Sequence, residues 1–164
     1  LMLMNHAVGL SPAERLGWSS TFASFVQYAW NPDLKRLRNF MRFDRTWCED
    51  HGSEDSNGRA LWALGDTVAN SPFVDLRDWA RSWFEEILPS FEEIGSPRAL
   101  AFAILGAAAV VRAEGPHPAA ERLLGRAPEI ASAPELMLRS VQGLVRHDAG
   151  TIKVDGAPVT GPGK

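Results

Sequence analysis

The sequence predicts an all-α domain of antiparallel helical hairpins with a short strand-like insertion, and three observations point to it. Ser11-Pro12, Ser71-Pro72 and Ser96-Pro97 each set an N-cap serine ahead of a proline at the first helical position. Between such starts, apolar residues recur at helical rather than alternating spacing. Finally, Arg59-Ala60-Leu61-Trp62-Ala63-Leu64-Gly65 returns as Arg98-Ala99-Leu100-Ala101-Phe102-Ala103-Ile104-Leu105-Gly106. The interval is that of a helix-pair repeat. Arg-Ala-Leu is not a rare run in an Ala- and Leu-rich chain, so this echo supports the fold without carrying it.

The first helix opens on the capping box of Ser11 and Glu14. Trp18, Phe22, Phe25 and Ala29 then fall at helical spacing as far as about Trp30, where Asn31-Pro32-Asp33 stops the helix. From Arg36 to Trp47 the pattern changes. Leu37, Met41, Phe43 and Trp47 share one parity and Arg36, Arg38, Arg42 and Asp44 the other, with Phe40 breaking the alternation. One or two short strands are expected there. His51 to Asn57 reads as a polar loop, and the second helix as about Ser56 to Ala69.

A third helix covers Val74 to Leu88, with Leu76, Trp79, Trp83 and Ile87 on its apolar stripe, and Pro89 ends or kinks it. The fourth, Pro97 to Glu114, is small and apolar almost all round, hence an inner, buried helix. Shorter helices are expected over Pro118 to Leu124 and Pro134 to Val145. Residues 1–148 thus form a helical-hairpin domain. Residues 149–164, rich in glycine and poor in large apolar side chains, form a flexible C-terminal tail.

Composition narrows the function. With 45% apolar residues, 164 positions suffice for one domain with a real core. A net charge of −3 leaves no basic footprint, so no nucleic-acid partner is expected. No apolar run approaches the ~20 residues of a membrane span, so no membrane partner is expected either. Cys48 is the single cysteine, which excludes an intrachain disulfide and suits a reducing, cytoplasmic compartment. The opening Leu-Met-Leu-Met-Asn-His lacks a basic n-region and does not read as a secretory leader; starting at Leu1, the sequence reads as cut from something longer. His6, His51, His117 and His147 are scattered without zinc-ligand spacing, and no glycine-rich phosphate loop is present, so neither a metal nor another cofactor is expected.

The richest chemistry lies between Arg42 and Gly65, where carboxylates, arginines and tryptophans crowd one segment. Glycoside cleavage needs one carboxylic acid to protonate the leaving oxygen and a second carboxylate to attack or to activate water. Asp44, Glu54 and Asp55 are the candidate catalytic acids. Each also has an ordinary role open to it: Asp55 or Ser56 as an N-cap, or Asp55 paired with Arg59 one helical turn on. Arg45 and Arg59 can fork onto sugar oxygens or simply neutralise Asp44 and Asp55. Trp47 is the candidate stacking platform, while Trp62, Trp79 and Trp83 read as core. Arg98, at the head of the echoed helix, points either into the same cavity or into solvent.

Arg38-Asn39-Phe40-Met41, Phe43-Asp44-Arg45-x-Trp47 and the run from Gly52 through Ser53-Glu54-Asp55-Ser56-Asn57-Gly58-Arg59-Ala60-Leu61-Trp62 to Gly65 carry a resemblance. They look like a helical domain of bacterial carbohydrate-active proteins, often annotated with glycosyltransferases and folded like the (α/α) toroid of the six-hairpin glycosidase superfamily. The resemblance covers about Phe22 to Glu114. It implies a partial (α/α) toroid and a glycan or glycosylated small molecule as ligand, bound, cleaved or transferred with Asp44, Glu54 and Asp55 and gripped by Arg45, Trp47, Asn57 and Arg59. Asn57 stands where the family mostly carries His, which changes any proton transfer or sugar contact there. The chain also spans only about half of a toroid's hairpins, and the exposed apolar flanks of a half toroid imply a homo-oligomer. The competing expectation is a non-catalytic helical interaction module with a degenerate site.

Overall fold

The computed structural model describes residues 1–131 together with the backbone of two strands at 153–154 and 157–158. The helix expected over Pro134 to Val145 lies outside the described residues, as does most of the expected tail. Among the described residues the protein is mostly helical. The order is α1 (Met2–Asn5), α2 (Pro12–Ala29), β1 (Trp30–Asn31), β2 (Arg36–Leu37), α3 (Glu54–Asn70), α4 (Val74–Ile87), a 3-10 turn (Leu88–Phe91), α5 (Pro97–Glu114), α6 (Pro118–Leu124), α7 (Ala127–Ala131), β3 (Lys153–Val154) and β4 (Ala157–Pro158). β1 pairs antiparallel with β2, and β3 with β4. Among the described residues, no helix is long and apolar enough to cross a membrane.

Local chemistry explains most of these boundaries. At α2 the capping box forms as its sequence requires, Ser11 Oγ accepting from the Glu14 N–H while the Glu14 carboxylate accepts from the Ser11 N–H at 2.9 Å. α5 begins at the Ser96 cap and Pro97 and ends at Gly115, whose φ of 91° lies in the region that glycine adopts freely. Pro89 ends α4 by tightening the chain into the 3-10 turn.

Three expectations need correction. α3 starts at Glu54, because Ser53 rather than Asp55 or Ser56 is its N-cap, so both acids sit in its first turn and not in a loop. Ser71-Pro72 does not cap α4. Ser71 closes α3, and Phe73 precedes the first turn of α4. The buried stripe of α4 is Leu76, Ala80, Phe84 and Ile87, which leaves Trp79 and Trp83 half-buried at the edge of the core.

The centre of the molecule is the α3–α5 pair. Gly58 faces Ala99 and Gly65 faces Gly106, so the registers rise together and the helices run parallel. Their backbones touch. A Cβ on Gly106 would lie 2.6 Å from the Leu61 carbonyl oxygen, and one on Gly58 would lie 2.5 Å from that of Ala99. The echoed segments are these two helices, each followed by a short link and a packed partner, α4 after α3 and α6 after α5. Leu61, Leu64, Phe84, Ile87, Phe91, Leu100 and Val110 fill the core around them. Each such side chain removed from water contributes roughly 1.5–3 kcal/mol.

Candidate functional site

The seven candidate residues separate into two places. The first is a hairpin. Met41 bridges Trp47, the Arg42 N–H donates to the Thr46 carbonyl at 2.8 Å, and the Arg45 N–H donates to the Arg42 carbonyl at 2.9 Å. Arg45 takes the left-handed position of this turn, with φ of 68°. Asp44 is fully exposed and folds back on its own turn, accepting from the Thr46 N–H at 3.0 Å and Oγ1 at 2.7 Å. Those hydrogen bonds hold its carboxyl below the usual range, so at neutral pH it is ionised and has no proton to give. Trp47 packs against Phe25 and Tyr28 with the Arg38 guanidinium over its ring, and the Tyr28 hydroxyl donates to the Arg45 carbonyl. Cys48, next to Trp47 in the chain, is exposed.

The second place is where the first turns of α3 and α5 lie side by side. Glu54 reaches across and accepts from the backbone N–H groups of Gly95, at 3.3 Å, and Ser96, at 2.7 Å. It thereby supplies negative charge where the start of α5 presents unpaired donors. Asp55 accepts from Arg59 Nε at 3.0 Å and, on its other oxygen, from Arg98 Nε. Partial burial pushes this carboxyl up, but the two guanidinium hydrogen bonds and their charges outweigh it and the net shift is downward. Both oxygens are occupied by cations. Asp55 therefore fits an anchor for two arginines better than a general acid.

Asn57 is 1% exposed, so its side chain faces protein and not ligand. Its Oδ1 accepts from the Leu37 N–H at 2.8 Å, while Nδ2 donates to the carbonyls of Leu37, at 3.2 Å, and Ser53, at 2.9 Å. The amide imitates a neighbouring strand and pins β2 to the start of α3.

Beyond Asp55, the α3–α5 face continues into aromatic surface. Trp62 and Phe102 stack with centroids 5.6 Å apart and planes inclined by 10°, and Arg59 lies 4.5 Å over the Phe102 ring. Both rings are only half-buried. Phe102 was not among the candidates, and Trp62 was read as core. One helical turn further along the same face, Asp66 accepts from Asn5 Nδ2 at 2.8 Å and Asn70 Nδ2 at 2.8 Å and pairs with His6 Nε2 at 3.0 Å, drawing α1 onto α3. This pairing spans sixty residues of chain, which no local pattern announces.

Among the described residues, cavities lie elsewhere. One of about 250 Å³ sits between the 3-10 turn and α6, and another of about 320 Å³ between β2 and the 3-10 turn. None of the seven candidates lines either. Arg126, at the first, donates to the carbonyls of Phe91, Glu92 and Ile94 and to the Glu129 carboxylate. Among the described residues no group of His, Cys, Asp and Glu is placed to hold a metal ion. In comparison with known proteins, the chain matches no family model, no curated protein and no solved structure.

Proposed function

We propose that this chain is a carbohydrate-binding helical domain whose ligand lies on the α3–α5 face over Arg59, Arg98, Trp62 and Phe102. The observation that supports it most is the juxtaposition of a carboxylate-anchored pair of arginines with two stacked, half-exposed rings. Planar rings stack on the apolar face of a sugar, and guanidinium forks donate to its oxygens. The resemblance to the six-hairpin, (α/α)-toroid proteins belongs to the same proposal. A parallel inner pair, each helix followed by an outer partner, is the local arrangement that an arc of such a toroid needs.

Binding fits the geometry better than cleavage. Asp44 and Asp55 are both held ionised, and Glu54 is committed to backbone donors, so no candidate carboxyl is poised to protonate a leaving oxygen. Titrating an oligosaccharide panel while following tryptophan fluorescence tests the reading. Saturable change is expected, weakened at least about tenfold in Arg59→Ala, because a charge-assisted hydrogen bond contributes roughly 1.5–3 kcal/mol. No saturable response to any sugar overturns it. A second reading, an interaction module, is favoured by a different observation, the aromatic exterior of α2.

A further inference from the structure

α2 buries its small residues and exposes its large ones. Ser19, Ala23 and Ala29 face the protein, with Val26 half-buried beside them. Glu14, Trp18, Phe22 and Phe25 follow one another at helical spacing on the outside, continued by Tyr28. The four rings from Trp18 to Tyr28 are 38–55% exposed, although a helix docked by its apolar face would cover them. The Arg42–Thr46 hairpin extends this surface past the C-terminal end of the helix. It packs Trp47 against Phe25 and Tyr28 and holds Phe40 and Phe43 in solvent, 61% and 106% exposed. At roughly 200 Å² per aromatic side chain, these exposures leave roughly 700 Å² of ring surface uncovered. That is close to the ~800 Å² each partner contributes to a standard stable interface, and more than scattered surface apolar residues require.

We propose that the α2 face is a homodimer interface, in which a second copy of this chain lays its own α2 antiparallel across the first about a two-fold axis at Thr21 and Phe22. Two features select a second copy. The stripe is nearly symmetric about that point, so antiparallel pairing sets Trp18 of one copy against Phe25 of the other. Its charge is asymmetric, with Glu14 at one end and, at the other, a net positive hairpin in which Arg42 and Arg45 flank Asp44. A two-fold operation therefore brings each acid to the partner's arginines, whereas a parallel arrangement sets like charges together. The proposal is independent of glycan binding, because α2 contributes no residue to the α3–α5 face.

The test combines sedimentation equilibrium with cross-linking of the full chain. The wild type is expected to be a dimer at micromolar concentration. Trp18→Glu and Phe25→Glu should each weaken dimerisation by at least about 30-fold, the magnitude of an interface hot spot, with helical circular dichroism unchanged. In a Cys48→Ser background, Thr21→Cys should form an intermolecular disulfide under mild oxidation, and Ser82→Cys, exposed on α4, should not. The cross-link reports the register even if an aromatic variant folds poorly. A monomeric wild type overturns the proposal, as does a dimer indifferent to both glutamates or one that cross-links equally through position 82. A monomer that sediments with anionic phospholipid vesicles would assign the surface to lipid and overturn it as well.

Discussion

The α3–α5 pair and α2 are about equally long, yet they solve opposite problems. α3 and α5 meet through glycine and alanine, so close that their backbones touch, and carry their functional groups on the flank of that seam. α2 meets the rest of the protein through serine, alanine and valine, but keeps its rings outward. Large side chains are therefore not where this fold stores its closest packing. Stability belongs to the seam, and the association proposed above to the rings.

The largest expected effects fall on the seam. Gly65→Ala or Gly106→Ala must push two backbones apart, and overpacking of this kind costs about 3 kcal/mol. Denaturant melts should show it as a lower midpoint at unchanged slope; a loss under about 1 kcal/mol would mean the helices can separate freely. Asn57→Ala comes next. It strands the Leu37 N–H, while the Leu37 carbonyl keeps the Gly52 N–H, and should cost about 1–3 kcal/mol, read by the same melts.

A smaller effect is expected of Asp55→Asn, visible in its pH dependence. Because the folded pKa lies below the unfolded one, the stabilisation from Asp55 is complete above the unfolded value and lost as pH falls through the folded value. The stability of the wild type should therefore decline more steeply than that of the variant on the acid side of pH 4. Parallel profiles would show that the Arg59 and Arg98 contacts contribute nothing. Smallest of all is Phe43→Ser at the hairpin tip, expected to change monomer stability by less than about 0.5 kcal/mol.

How much of this was readable follows the same division. α5 was legible to the residue because both its signals are local: Ser96-Pro97 at one end, Gly115 at the other. The same Ser-Pro pair misled at Ser71, where the serine closes the preceding helix; which helix a serine serves depends on how the chain turns back. The cap expected at Asp55 or Ser56 lay too late in the chain: Ser53 caps α3 and takes Glu54 and Asp55 into the helix. The pairing of Asp55 with Arg59 was visible as a one-turn spacing, and Arg98 was signalled only by the echo. The burial of Asn57 was not visible, since its partner Leu37 lies on another element. The outward face of α2 was equally hidden, because apolar residues at helical spacing look alike whether a protein's own core or another copy covers them.

Native-state hydrogen exchange at high dilution, where any dimer has dissociated, tests the division most directly. Amides of α3 and α5 along Leu61–Val68 and Ala103–Val110 should exchange only through global unfolding, while those in the first half of α2 exchange through smaller local openings. Equal protection of α2 and the α3–α5 seam would contradict the account.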